Sequence, residues 1–373
     1  MGKRILSIIG TRPEAIKMAP VIRAIVDRPE LTGIVCTTGQ HREMLQQVLE
    51  TFCITPDYEL NVMRAGHTLN SLTSRIFGQM DGIFENARPD IVLVQGDTTT
   101  AMCVSIAAFH RGIKVGHVEA GLRTYDFSRP FPEELNRRAI DLVSTYLFAP
   151  TVSAGNNLER ECFPSDRIVV TGNTVIDALL ATVELIKRDV ALQQALAAKF
   201  ARIEASRPLI LVTGHRRESF GIGIEQICDA LKRLAMLQAV EIIYPVHLNP
   251  NVDAVVRKRL MKVANVHLLE PLDYVSFVYL MHKARIIVTD SGGVQEEAAA
   301  LGKRVIVMRE VTERPEGVEA GLAELTGTDP SRICDAVARA LAGHESEEEL
   351  LRIGRKLYGD GQAGRRIAAQ LCD

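Results

Sequence analysis

No C-x-x-C pair and no H-E-x-x-H occurs in this chain. Its seven cysteines (36, 53, 103, 162, 228, 334 and 372) are dispersed and odd in number. That pattern argues for reduced thiols and against a disulfide framework or a zinc site. No metal and no cofactor are expected. No apolar stretch approaches the about 20 residues that a membrane helix needs. The run Ile5 to Ile9 is too short for a signal-peptide core and lacks a small-residue cleavage site, so a cytoplasmic location is expected. Neither sign of charge is in excess: 44 Lys plus Arg stand against 46 Asp plus Glu, a formal net charge of -2. Such a balance offers no field for gripping nucleic acid or an anionic membrane, and neither is an expected partner. A small anion remains possible, because a few arginines and backbone N–H groups suffice for a phosphate. Low-complexity segments and short-period repeats are absent.

What is present is an ordinary globular composition, 47% hydrophobic and 24% charged, in 373 residues. Single cores stop growing below that length, so two domains are expected. Strand-like runs at Arg4 to Ile9, Thr32 to Thr38, Asp90 to Gln95, Lys114 to Val118 and Tyr146 to Ala149 alternate with helical patterns. Those patterns lie at Ile16 to Val26, Arg42 to Phe52, Thr99 to His110 and Glu133 to Ser144. The same grammar resumes with strands at Leu209 to Val212, Glu241 to Val246, Val266 to Leu268, Ile286 to Thr289 and Arg304 to Val307. Helices are predicted there at Ile224 to Leu237 and Val294 to Leu301, and a charged helical stretch, Asn173 to Ala205, joins the two runs. Continuous β-branched strands separated by helices predict parallel sheets covered on both faces. The fold class is α/β: two doubly wound Rossmann-like domains, 1–171 and 172–357, facing a central cleft. Chemistry is expected just after the strands.

It is found there. Gly10-Thr11-Arg12-Pro13-Glu14 follows the first strand, with Lys17 near a helix start whose N–H groups and dipole would suit a diphosphate. Asp97 follows another strand and has a plain alternative as a helix N-cap. Glu119 follows a buried strand, where an unpaired carboxylate is costly. Glu133 and Glu134 open a helix behind Pro132, where acids are favourable for structural reasons alone. Three acids at the carboxyl side of one domain can divide into acid and base roles. In the second half His215, Arg216 and Arg217 follow a strand and are candidates for phosphate binding or proton transfer. Asp290-Ser291-Gly292-Gly293 opens a helix whose N–H groups can close on phosphate, with Glu297 one turn on, within reach of ribose hydroxyls. A further polar loop, Arg309 to Gly317, also follows a strand.

These segments, with Thr38-Gly39-Gln40-His41-Arg42-Glu43-Met44-Leu45 and Thr312-Glu313-Arg314-Pro315-Glu316-Gly317-Val318-Glu319-Ala320-Gly321, closely resemble the non-hydrolysing bacterial UDP-N-acetylglucosamine 2-epimerases. The resemblance runs in order along nearly the whole chain. It implies a glycosyltransferase-B-like fold, a homodimer, and no metal or nicotinamide. Similar folds carry the final helix, within 358–373, back onto the first domain. The family's pattern places UDP in the second domain: Ser291, Gly292 and Gly293 on phosphate, Glu297 on ribose, Phe277 near uracil, and Arg314 facing the nucleotide. Arg12, Lys17, Asp97, Glu119, Glu133 and His215 would surround the sugar and diphosphate, with Asp97, Glu119, Glu133 and His215 as the catalytic set. A second UDP-N-acetylglucosamine would activate the enzyme from Gln40, Glu43, Gly66, Glu133, Arg216 and His247. Glu43 and Gly66 stand where relatives can carry Gln and Arg, which predicts a loose effector site. The implied activity is reversible inversion at carbon 2 of UDP-N-acetylglucosamine, by elimination and re-addition of UDP, feeding cell-surface polysaccharide. Epimerisation of a 2,3-diacetamido uronic acid nucleotide, a hydrolysing epimerase and a glycosyltransferase of the same fold remain as alternatives; against the last, transfer does not obviously need three carboxylates.

Overall fold

Apolar runs buried on both faces build two separate parallel sheets. The computed structural model describes the chain except residues 1, 40, 41, 63–65, 67, 205, 215–219, 238, 313, 344 and 373 and the side chains of 42–44. The chain forms two compact units, residues 1–178 with 358–373, and residues 179–357.

In the first unit the elements alternate: β1 (Lys3–Ile9), α1 (Arg12–Val26), β2 (Leu31–Thr37), α2 (Arg42–Thr51), β3 (Tyr58–Glu59), α3 (Leu69–Ala87), β4 (Ile91–Gln95), α4 (Thr99–His110), β5 (Lys114–Val118), α5 (Glu133–Val143), β6 (Tyr146–Ala149), α6 (Val152–Arg160) and β7 (Ile168–Val170). The sheet order is β3-β2-β1-β4-β5-β6-β7, with every pairing parallel. The order reverses between β1 and β4, which pair with Ile5 opposite Ile91. That reversal leaves a crevice at the strands' carboxyl ends, where doubly wound sheets bind ligands. On one face of the sheet, Leu6, Ile8, Val92 and Val94 pack against Ile76, Met80, Phe84 and Val104 of α3 and α4.

α7 (Thr174–Arg188) leads out of this unit and α8 (Val190–Lys199) follows. The second unit continues with β8 (Leu209–Thr213), α9 (Ile222–Leu237), β9 (Glu241–Pro245), α10 (Pro250–Leu260), β10 (Val266–Leu269), α11 (Tyr274–Lys283), β11 (Ile286–Thr289), α12 (Gly292–Ala300), β12 (Arg304–Val307), α13 (Pro315–Glu319), β13 (Ala323–Leu325), α14 (Pro330–Ala342) and α15 (Glu347–Tyr358). Its sheet, β10-β9-β8-β11-β12-β13, is again wholly parallel and reverses between β8 and β11. The last helix, α16 (Ala363–Cys372), belongs to the first unit, where it packs on α1. Contact there is close: a Cβ on Gly364 would lie 2.7 Å from the Pro20 carbonyl oxygen. Lys3 Nζ donates to the Cys372 carbonyl at 3.0 Å.

Two boundaries move toward the sites. α1 starts at Arg12, not Ile16, because Thr11 and Glu14 form a capping box and Pro13 suits a first turn. α12 starts at Gly292, not Val294. Among the described residues no helix is long and apolar enough to cross a membrane.

Candidate active site

In the first unit the loops after β1, β4 and β5 meet at the β1/β4 reversal. Glu14 joins the first two. Its Oε2 accepts from the Gly10 and Thr11 N–H groups at 2.5 and 2.6 Å, and its Oε1 accepts from Thr98 Oγ1 at 2.6 Å. Burial pushes the Glu14 carboxyl above its ordinary range, although each of these bonds pulls the other way. This corrects one expectation. The Gly10 and Thr11 N–H groups are not open to a diphosphate, because a buried carboxylate already uses them. Positive charge at this helix start is left to the side chains of Arg12, which is partly buried, and Lys17.

Glu119 lies just past β5, buried, with φ of 75°. Both its oxygens sit 2.6 Å from Lys17 Nζ, and Gln95 Nε2 donates to one of them. The costly lone carboxylate of the sequence is therefore an ion pair. Asp97 is not the cap of α4. Thr98 takes that place, its hydroxyl accepting from the Ala101 N–H at 3.1 Å. Asp97 is left free to pair with Arg137, Oδ2 to Nη2 at 2.5 Å, while Asn136 Nδ2 donates to the Asp97 carbonyl at 2.9 Å.

Glu133, half-buried, is the first residue of α5. The inner face of α5 is polar. Glu134, Arg137 and Asp141, at i, i+3 and i+7, are all buried and all engaged. Glu134 accepts from the Thr124 and Tyr125 N–H groups, both at 3.0 Å. Asp141 meets His117 at 2.6 Å and Arg123 at 2.7 Å. Arg137 and Asp141 were not singled out in the sequence. The signal was available: charged residues at helical spacing, facing a motif that already carries Glu119. Among the described residues no three His, Cys, Asp or Glu side chains gather as metal ligands would.

In the second unit the corresponding reversal carries the start of α12. The Ser291 N–H is held by Thr289 Oγ1 at 3.0 Å, and Thr289 Oγ1 is itself 2.6 Å from Thr213 Oγ1. Ser291 stands at the N-cap of α12 with no side-chain capping bond. The N–H groups of Gly292, Gly293 and Val294 therefore point out of the helix without an acceptor among the described residues. The Arg314 guanidinium lies beside them; a Cβ on Gly292 would come within 3.2 Å of its Cζ. Arg314 is steered there by Glu296, which accepts from its Nε at 2.6 Å. Thr312 helps from the loop side, donating to Gln295 at 2.9 Å and accepting the Arg314 N–H at 3.2 Å. Glu297 is buried one turn along, within 3.4 Å of the Tyr274 hydroxyl. Phe277 follows Tyr274 by three residues on α11 and is half-buried. His247 is exposed, its Nδ1 accepting from the Asn249 N–H at 3.1 Å. His215, Arg216 and Gln40, and the side chain of Glu43, lie outside the described residues.

Two parallel doubly wound sheets, each with polar groups at its reversal point, define the glycosyltransferase-B-like class. The UDP-N-acetylglucosamine 2-epimerase family model matches residues 23–372. A UDP-N-acetylglucosamine 2-epimerase of Salmonella typhimurium is 51% identical over 369 residues, 99% of this chain and 98% of that one. The crystal structure of a Neisseria meningitidis UDP-GlcNAc 2-epimerase, bound to UDP-GlcNAc, matches with a TM-score of 0.91 at 44% identity, covering 99% of both chains. That of the Methanocaldococcus jannaschii enzyme, in complex with UDP-GlcNAc and UDP, matches with a TM-score of 0.84 at 31% identity, again over 99% of both. The chain belongs to the UDP-N-acetylglucosamine 2-epimerase family.

Proposed function

We propose that the protein interconverts UDP-N-acetylglucosamine and UDP-N-acetylmannosamine by removing UDP and adding it back. The observation that carries this reading is the family match over residues 23–372, together with a relative matched over 99% of the chain. The proton on carbon 2 is not alpha to a carbonyl. It becomes acidic as the bond from carbon 1 to the bridging oxygen breaks and positive charge builds next door. A carboxylate takes it, UDP leaves with the bonding pair, and 2-acetamidoglucal remains. Protonation from the opposite face and return of UDP complete the inversion. Asp97, Glu119 and Glu133 form the acid–base set, to which the family resemblance adds His215. The family resemblance gives the stabilisation of departing UDP to Arg12, Lys17, Arg314 and the α12 N–H groups. Glu297 holds the ribose and Phe277 packs by the uracil.

Incubation with UDP-N-acetylglucosamine in D2O, without an acceptor sugar, tests the reading. Deuterium at carbon 2 of both epimers is the expected result. Release of free sugar, or no reaction, rejects it. Asp97→Asn, Glu119→Gln and Glu133→Gln should each slow turnover at least about 10²-fold; a variant near wild-type rate leaves the set.

A homodimer fits the outer face of α5, where Leu135 and Leu142 are exposed at i and i+7 and Arg138 stacks on Phe127 at 5.1 Å. Leu142→Glu should lower the mass seen in sedimentation from dimer to monomer; an unchanged mass removes this face. A loose activating site for a second UDP-N-acetylglucosamine, using Gln40, Glu43, Gly66, Glu133, Arg216 and His247, predicts sigmoidal forward kinetics. Hyperbolic kinetics would exclude it.

A further inference from the structure

His117 has no place in the acid–base set, yet it is wholly buried on β5. A buried imidazole must find partners for both nitrogens or forfeit its hydration. Both are found. Nδ1 lies 2.6 Å from Asp141 Oδ1, and Nε2 lies 2.7 Å from the Gly96 carbonyl oxygen. A carbonyl oxygen only accepts, so Nε2 carries a hydrogen whatever the state of Nδ1.

The Gly96 carbonyl is half of the peptide that leads into Asp97. At Gly96 the chain leaves β4 through a left-handed turn with φ of 70°. Its N–H is already held by the Val118 carbonyl at 3.0 Å. With His117 on the oxygen, β5 grips both ends of Gly96. The plane of the next peptide, and the direction in which Asp97 leaves it, are then fixed from this side. From the other side α5 fixes Asp97 through Asn136 and Arg137. Asp141, which orients His117, stands on that same helix one turn beyond Arg137. It is anchored by Arg123, whose Nε and Nη2 meet Glu161 at 2.8 and 2.9 Å. One helix thus controls Asp97 both directly and by way of the imidazole.

We propose that His117 is a positioning residue for Asp97, acting through the Gly96 peptide and oriented by Asp141. The inference rests on the assignment of Asp97 to the acid–base set. A rigid aspartate matters because misplacement by about 1 Å can cost about 10²-fold in rate.

Two substitutions separate the bonds that His117 makes. Glutamine can place an amide N–H near the position of Nε2 and keep the Gly96 bond. Asparagine reaches only to the position of Nδ1 and keeps the Asp141 bond. His117→Asn should lower kcat at least tenfold below His117→Gln, a factor of about 10 in rate, with KM for UDP-N-acetylglucosamine and the melting temperature alike in the two. In the Asp97→Asn background, His117→Asn should slow the enzyme no further, because both changes remove one function. Equal kcat in the two His117 variants, or full multiplication of the two losses, overturns the proposal. Should neither variant fold, nitrogen-15 spectra of the wild-type imidazole decide. Nε2 must carry its proton across the pH range of turnover, and an unprotonated Nε2 overturns the proposal as well. Wild-type enzyme under the same assay separates the two readings: no epimerisation by wild type refutes the proposed function, whereas normal wild-type turnover with an indifferent His117 refutes only this inference.

Discussion

Glu119 combines a buried charge with a backbone that side chains avoid. A φ of 75° on a residue with a Cβ costs about 1–3 kcal/mol. The strain stays because the Glu119 N–H bonds the Phe148 carbonyl at 3.0 Å and the carboxylate meets Lys17. Both Glu119→Ala and Glu119→Gly lose the carboxylate; they differ chiefly in strain. The glycine variant should be the more stable of the two by about 1 kcal/mol, read from urea midpoints, with both inactive. An alanine variant at least as stable would mean the backbone is not strained. At this scale the sequence was legible in residue type more than in role. Asp97 and Thr98 are both good caps, and only the path of the chain decides that Thr98 is used. Glu14 reads as an ordinary first-turn acid, and nothing local says that it is buried. His117 and Asp141 stand apart along the chain and meet only once β5 and α5 are packed.

Elements were legible where their periodicity was strong. The central strands β4, β8 and β11 are nearly continuous runs of aliphatic and β-branched residues and declare themselves, whereas β1 and β5 carry polar residues as well. The edge strands β3, β7 and β13 have two or three residues each, too few to show a period. α3 carries Gly78 and Gly82, which weaken a helical reading, although Leu72, Ile76, Met80 and Ile83 keep its buried stripe. α12 was legible because its two glycines open a helix directly after a strand. The structure adds the reason that Gly292 must be small. A methyl group there would press on the Arg314 guanidinium and move it from the N–H groups beside it. Gly292→Ala should weaken UDP binding about tenfold, equivalent to about 1.4 kcal/mol. Calorimetric titration measures this, and unchanged affinity would remove Arg314 from the site.

At the scale of the molecule, the first unit is completed by chain that arrives after the second. Asp177 on α7 helps to make the join. It accepts the Gly364 N–H at 2.8 Å at the start of α16. Burial outweighs that bond and pushes its carboxyl up to about 6. A carboxyl raised above its unfolded value of about 3.9 holds its proton more tightly in the folded state. Its contribution is therefore full below about pH 4 and is lost as pH rises through about 6. Asp177→Asn should flatten the stability profile between those limits, by up to about 3 kcal/mol for a shift of about two units. Denaturant titrations at pH 4 and pH 7 measure it; the same slope in both proteins would exonerate Asp177.

The placement of α16 also bears on how the chain is made. α1 leaves the ribosome before residues 179–357, and the helix that covers it is encoded after them. A nascent chain therefore carries the apolar side of α1 uncovered while 179–357 is made, and Gly364 can seat against Pro20 only after that. The contiguous second unit is free to mature before the first. A ribosome stalled inside 179–357 would hold a first unit open at α1, a substrate for chaperones that a stall past α16 would not present.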